Sequence, residues 1–332
     1  FISGTIAVYS VSNITQRKEM IRTGGLLAGV NFCAAITLGL LFGERNFLNL
    51  LGTAMIGGFN GIFSIALANG FLPFLEQLFR VTSALSLLEL ANPNMPLLKR
   101  LLIEAPGTYH HSIIMGNLAE AAADAIGADS ILVRVGAYYH DIGKLQRPYF
   151  FVENQIAQDN PHEKLSPNLS TLIITSHVRD GVELARQYGL PESVIEIIEQ
   201  HHGTDLLRYF YKRAAENVQE EKETLVEGNF RYPGPKPRSR EAAIIMLADS
   251  VEAAARAMEQ PTPSRLEALV DKIIKDRLEL RQLDEADLTL KDLDKIKAAF
   301  VKVLTGIFHH RIKYPDLESE TERKKLVDGN HQ

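Results

Sequence analysis

Two long apolar runs without a charge open the chain, and an apolar periodicity of helical spacing fills most of the remainder. Residues 23–42 (TGGLLAGVNFCAAITLGLLF) and 47–71 (FLNLLGTAMIGGFNGIFSIALANGF) contain no Asp, Glu, Lys or Arg, and about 20 mostly apolar residues suffice to cross a bilayer as a helix. Only Glu44 and Arg45 carry charge between them, so the two runs are expected to form a membrane hairpin. Their glycines and alanines suit close helix packing in lipid. The alternative, two helices of a soluble core, requires successive uncharged runs that water-soluble folds rarely contain. Arg17, Lys18 and Arg22 precede the first run, while the hairpin loop holds Arg45 alone. The Lys/Arg bias therefore places the side before residue 23 in the cytoplasm, and two crossings return everything after Phe79 there. Phe1 lies inside an apolar stretch, read as the tail of an earlier span of a longer membrane protein.

After residue 79 the pattern turns amphipathic. Residues 80–100 read as a coupling helix and a turn, with Asn92-Pro93-Asn94-Met95-Pro96 supplying turn chemistry. Helical periodicity predicts helices over 109–126, 130–141, 166–188, 192–200, 239–259, 264–279 and 290–311. Ser130 is the expected cap of the second, Pro191 opens the fourth, and Thr289 with Asp292 has capping-box spacing. Residues 205–227 read as a charged, partly helical insertion, and the proline-rich stretch 232–238 as an extended loop. No run alternates like a strand. The chain is thus expected to be all-α, with membrane helices over 1–79, a linker over 80–100, a helical bundle over 101–315 and a polar tail over 316–332.

Charge and cysteine content narrow the chemistry. The net charge of −5 excludes a generally basic binder of DNA or RNA polymers. Cys33 is the only cysteine, so neither an intrachain disulfide nor a cysteine metal site can form. Histidines and aspartates remain. His140-Asp141-Ile142-Gly143-Lys144 closes an apolar helix and offers an imidazole and a carboxylate to one point. Both oxygens of Asp141 can bind, so it can bridge two ions, and Lys144 is placed to meet a phosphate as a point charge. His111, His177, His201 and His202 are further candidates. Asp249 lies in the small apolar run 242–250, where an acid is costly unless paired or metal-bound. Each of these has a plainer reading, a satisfied core histidine or a surface acid. Neighbours such as His110/His111 and His201/His202 diverge by about 100° on a regular helix, so only one of each pair should face a shared site easily, unless, for His201/His202, the helix end distorts. His309 and His310 read as solvated residues, and His162 receives no role. Imidazole with carboxylate suits Mn, Fe, Co, Ni or Zn better than Mg or Ca, and seven ligands suit two ions.

The order His111, His140-Asp141, His177, His201-His202, Asp249 resembles the HD phosphohydrolase superfamily. With Glu104-Ala105-Pro106-Gly107-Thr108-Tyr109-His110-His111, Arg147-Pro148-Tyr149-Phe150-Phe151-Val152-Glu153-Asn154 and Ser176-His177-Val178-Arg179-Asp180, the chain is similar to the seven-transmembrane HD family of bacterial cyclic-di-AMP phosphodiesterases. The resemblance implies a dinuclear centre of iron or manganese. One ion would be held by His111, His140, Asp141 and Asp249, the other by Asp141, His177, His201 and His202, so both members of the 201/202 pair would be used. It further implies hydrolysis of cyclic-di-AMP to linear pApA by a hydroxide generated between the ions, with Lys144 and the metals neutralising phosphoryl charge. Arg179 reads as a second phosphate contact or as a surface ion-pair partner. Tyr149 and Phe150, with Phe151, read as adenine-stacking rings or as core. Expected partners are a cyclic dinucleotide, the lipid bilayer and a second copy of the chain. The Gly-Tyr-Pro that follows paired histidines in the cyclic-di-GMP hydrolases is absent: Gly203-Thr204-Asp205 stands there. Hydrolysis of (p)ppGpp, and a non-catalytic nucleotide sensor in the membrane, are the alternatives.

Overall fold

The computed structural model describes residues 2–11, 17–79, 81–155, 160–221 and 225–308. Among these the chain is helical, and the nearest approach to a sheet is one isolated antiparallel bridge, Leu206 with Arg231. The all-α expectation holds. The ends of the 205–227 insertion helix and of the last helix, His309, His310 and the tail 316–332 involve residues outside those described.

Three helices open the chain: α1 (Ile2–Val11), α2 (Arg17–Leu41) and α3 (Phe47–Phe79). Helices α2 and α3 are long and apolar enough to cross a membrane, and little of their apolar window is covered by protein. Their large side chains, Leu40, Ile56 and Phe59 among them, point outward, as lipid-facing residues must. The helix hairpin closes on small residues. A Cβ on Gly61 would collide with the backbone of Leu27 and Ala28, and one on Gly57 would meet the Asn31 carbonyl. The second run extends past residue 71 to Phe79, carrying Pro73 within the helix.

Ten further helices follow: α4 (Ala84–Leu90), α5 (Pro96–Glu104), α6 (Pro106–Ile126), α7 (Ser130–Tyr139), α8 (Pro167–Gln187), α9 (Glu192–Gln200), α10 (Arg208–Glu221), α11 (Arg240–Arg256), α12 (Pro263–Glu279) and α13 (Leu290–Ile307). Short 3₁₀ turns occupy Ile142–Gln146, Pro148–Phe150, Val152–Asn154 and Pro161–Lys164. The capping box of Thr289 and Asp292 is present. The expected cap at Ser130 is displaced by one residue: Asp129 accepts from the Leu132 amide, and Ser130 is the first helical residue. The helix expected from 109 begins at Pro106, because a proline at the first position needs no amide partner.

Two apolar cores share α7. Val133 and Ala137 pack into one, with α6, α11, α12 and α13. Val135 and Tyr139 pack into the other, with α4, α5, α8 and α9. Burying a Leu- or Phe-sized side chain contributes roughly 1.5–3 kcal/mol, so a helix gripped from both sides, as α9 also is through Ile197 and Ile198, is firmly fixed. The C-terminal end of α7 carries His140 and Asp141. Leu87, Leu97, Leu98 and Leu101 of α4 and α5 join the second core, tying the segment after the membrane hairpin to the same packing unit.

Candidate metal centre

Helix α7 ends at Tyr139; His140 caps it and Asp141, at φ −107° and ψ 15°, turns the chain into the 3₁₀ turn 142–146. That turn lies flat on α8, since a Cβ on Gly143 would collide with the His177 carbonyl and the Gly181 amide. Glycine is therefore required here by backbone proximity, and the contact brings His177 to Asp141. Helix α6 contributes His111 and α11 contributes Asp249. The 201/202 objection is answered by the end of α9. The helix stops at Gln200, and Gly203 takes a left-handed φ of +52°, so the two rings leave regular helical spacing.

The Asp141 carboxylate sits at the centre. Its Oδ2 faces His140 Nε2 at 3.1 Å and His111 Nε2 at 4.0 Å; its Oδ1 faces His177 Nε2 at 3.3 Å and His201 Nε2 at 3.8 Å. Each oxygen thus serves a different pair of imidazoles. Asp249 Oδ1 lies 3.1 Å from His111 Nε2, and its Oδ2 3.8 Å from His202 Nδ1. Potential ligand atoms converge in two groups that share Asp141: His111 and His140 on one side, His177, His201 and His202 on the other.

The tautomers follow from the backbone. The Nδ1 of His140, His177 and His201 lies 2.8, 2.5 and 2.7 Å from the carbonyls of Ala137, Ile174 and Ile198, each three residues earlier. A carbonyl only accepts, so each Nδ1 carries the hydrogen and each Nε2 presents a lone pair. His177 Nε2 and His201 Nε2 stand 3.3 Å apart, two lone pairs turned toward one another. His140 Nε2 and Asp141 Oδ1 are buried without a hydrogen-bond partner. Such an arrangement of acceptors is unfavourable by itself and is what a cation would relieve, so the donor set fits divalent metal.

Electrostatics sharpen the fit. Burial works against ionisation of Asp141, but His140 and Lys144 hold its carboxyl well below the usual range. Asp249 is likewise depressed: burial opposes ionisation, and the hydrogen bond from His111 and the nearness of His202 overcome it. Burial, reinforced by His140, pushes His201 down to about 3. Burial and His201 push His202 well down. Neutral imidazoles and ionised carboxylates are the ligand forms; His111 is held the other way, since burial lowers it but Asp249 and Glu252 outweigh burial and raise it to about 10, so a metal ion there would have to displace its proton.

Several residues around the centre escaped the sequence. Glu252, buried one turn after Asp249, accepts from His111 Nδ1 at 2.5 Å; the i, i+3 spacing on α11 was its only signal. Glu153 meets Lys144 Nζ at 2.6 Å, opposite Asp141 Oδ2 at 2.8 Å. Glu153 and Asn154 also bind Thr108, fastening this turn to the start of α6. Gln282, buried, accepts from the Thr204 amide at 3.0 Å and steadies the turn after the paired histidines. Among the expected contacts, Arg179 is 80 % exposed and 3.5 Å from Asp180. Phe150 packs on His162 at 5.5 Å and Tyr149 on Phe150 at 6.5 Å. Phe151 instead lies against His177 at 5.7 Å and beneath Lys144 at 4.9 Å.

Two cavities meet at Asp249 and Ala253. One of about 370 Å³ is lined by His111, Lys144, Glu153 and Arg256. The other, of about 470 Å³, is lined by His202, Tyr232, Arg208 and Arg277. Tyr149, Phe150 and Arg179 are not among their lining residues.

Comparison with known proteins places this geometry. The HD domain family model matches residues 108–254, and a family described as 7TM receptor with intracellular HD hydrolase matches residues 1–83. The chain covers the whole of a crystallised HD domain of the Listeria monocytogenes phosphodiesterase PgpH at 49 % identity, with a TM-score of 0.62 over 65 % of this chain. The chain belongs to the HD hydrolase family that includes PgpH. A second crystal structure of that domain, in complex with cyclic-di-AMP, is similar at 50 % identity and TM-score 0.62, covering 66 % of this chain and all of that one. The chain is also 49 % identical to cyclic-di-AMP phosphodiesterase PgpH of Bacillus subtilis (strain 168) over 318 residues, and 44 % identical to that of L. monocytogenes over 320. Each alignment takes in 95 % of this chain and 44 % of the relative, so the chain spans less than half the length of these curated relatives. Membership carries two coarser facts with it: an HD centre for divalent metal, and a membrane protein.

Proposed function

We propose that this chain is a metal-dependent phosphodiesterase that hydrolyses cyclic-di-AMP to linear pApA. The observation that carries the reading is the Asp141 carboxylate, whose two oxygens face two separate groups of imidazoles, in a chain similar to PgpH in complex with that dinucleotide. His111, His140, Asp141 and Asp249 would hold one ion, and Asp141, His177, His201 and His202 a second, manganese or iron by donor type. When bound, such ions supply the Lewis acidity that makes water nucleophilic near neutral pH.

The chain's own residues do the rest. Backbone carbonyls orient three of the five imidazoles, and Glu252 orients His111. Lys144 stays charged: burial disfavours its ammonium, but Asp141 and Glu153 more than compensate. It faces the cavity that also holds Arg256, so a phosphodiester entering there meets positive charge and a polarising field. Cavities on both sides of Asp249 suit a ligand with two nucleotide halves. Tyr149, Phe150 and Arg179 would serve only a part of the substrate lying outside those cavities.

The domain reading is a membrane part over 1–79, a linker over 80–100, an HD domain over 101–315 and a tail over 316–332. It puts the protein in the cell membrane as a multi-pass chain, with the HD domain on the cytoplasmic side of Arg17, Lys18 and Arg22. The membrane part would regulate the centre through α4, because Tyr139, two residues before Asp141, donates its hydroxyl to the Leu90 carbonyl at 2.9 Å.

The test is hydrolysis of cyclic-di-AMP by the detergent-solubilised chain, purified without chelator and assayed with manganese or iron(II), beside Asp141→Ala. Formation of pApA by the unsubstituted chain alone is expected. Faster cleavage of cyclic-di-GMP or (p)ppGpp would overturn the substrate, and metal-loaded protein that binds but cuts none would leave a nucleotide sensor.

A further inference from the structure

Tyr232 stood in the proline-rich loop with no chemistry attached to it, yet the fold fixes it at the centre. The Leu207 amide donates to the Phe230 carbonyl at 2.8 Å and the Tyr232 amide to the Asp205 carbonyl at 2.9 Å. Arg231 adds a guanidinium bond to the Thr204 carbonyl at 2.9 Å. This clasp joins residues 230–232 to the turn that follows the paired histidines, and Pro233 stiffens the next step.

The Tyr232 ring stacks on His202, with centroids 4.1 Å apart and planes at 23°. It meets His177 at 6.1 Å, nearly perpendicular. The same side chain lines the larger cavity beside Asp249. Its hydroxyl makes no hydrogen bond with another described residue. A phenol keeps its hydrogen at neutral pH, so this hydroxyl can donate. Most other groups lining this cavity are less free to do so; Arg208, the exception, is exposed. Arg277 is tied to Asp205 at 2.5 Å and to Ser250 at 2.9 Å, and Asp205, Asp249 and Asp276 only accept.

We infer that Tyr232 is a catalytic residue of the proposed hydrolysis, its hydroxyl donating a hydrogen bond to a phosphoryl oxygen of the substrate while its ring holds His202 in place. The inference rests on the phosphodiesterase reading for the reaction, and only on the cavity for the contact. No proton is transferred in this role: the hydroxyl keeps its hydrogen and stabilises charge that grows on phosphorus-bound oxygen.

Tyr232→Phe removes the hydroxyl and keeps the ring, whereas Tyr232→Leu removes both. In the full chain, Tyr232→Phe is expected to retain the parent's manganese content and to lose about 10- to 100-fold in kcat on cyclic-di-AMP, the cost of a donor to a charged group. Its affinity for inorganic phosphate, measured by calorimetry on manganese-loaded protein, should fall with it. Tyr232→Leu should lose manganese as well. Unchanged kcat and phosphate affinity in Tyr232→Phe, within about twofold, would reduce the residue to a stacking partner and overturn the inference. If the parent does not cut cyclic-di-AMP, the substrate assignment fails separately, and phosphate affinity alone decides for or against Tyr232.

Discussion

Glu252 offers the sharpest test of how the centre is built. Its carboxylate accepts from His111 Nδ1 at 2.5 Å and from Arg256 at 3.0 Å, and only 3 % of the residue is exposed. Replacing it by alanine removes the group that fixes the His111 ring, and leaves the Nδ1 hydrogen buried without an acceptor. Losing the outer partner of a metal-bound histidine typically costs about 10–100-fold in metal affinity, or roughly 1.4–2.8 kcal/mol. The unpaired donor costs the metal-free fold a further ~1–3 kcal/mol, a fall of about 2–4 °C in melting temperature for each kcal/mol in a domain of this size. Arg256 contributes little to that loss, because its side chain is 44 % exposed and water takes over its donors. Manganese titration by calorimetry against a competing chelator should rank the unsubstituted chain first, then Glu252→Gln, then Glu252→Ala. Glutamine stands between them because its amide oxygen still accepts from Nδ1, without the charge that about doubles such a bond. Manganese affinity in Glu252→Ala within about twofold of the parent would refute the view that this carboxylate orients a ligand.

Other outcomes follow from the same geometry. Gly143→Ala should destabilise the fold by more than ~3 kcal/mol, since its Cβ would meet backbone atoms of His177 and Gly181; urea denaturation reads this directly, and a normal midpoint would show that the turn can lift off α8. Arg179→Ala should leave kcat/KM within about twofold, because its side chain is 80 % exposed; a tenfold loss would return it to the substrate. Tyr139→Phe should cost about 1–2 kcal/mol through the orphaned Leu90 carbonyl, seen by thermal melting, and no change in melting would mean water replaces the bond.

Part of this was legible because the His140-Asp141 motif puts its chemistry at a helix end. An apolar helix closing on His140-Asp141, and glycine immediately beyond it at 143, is a pattern that composition and periodicity expose. For the histidine pair at 201–202 regular helical geometry is no guide, since α9 ends at Gln200, the helix-end exception that the 100° spacing leaves open. Glu153, Gln282 and Tyr232 could not be found by spacing, because each reaches the centre from a turn whose path is set by long-range contacts: Glu153 by Thr108, Gln282 by Thr204, Tyr232 by Asp205. The shift of the α7 cap from Ser130 to Asp129 is of a different kind. Both residues are competent caps, and local sequence does not choose between neighbours.

The close approach of the two membrane helices limits how they can move. At Gly57 and Gly61 the α3 backbone lies against the α2 backbone with no room for a single added carbon. Helices in contact at that distance cannot roll independently about their long axes, because rotating either one swings a side chain into the space the glycines leave. The hairpin therefore keeps the degrees of freedom of one body, tilting or sliding as a unit, and the only displacement it can hand to α4 is a shared one.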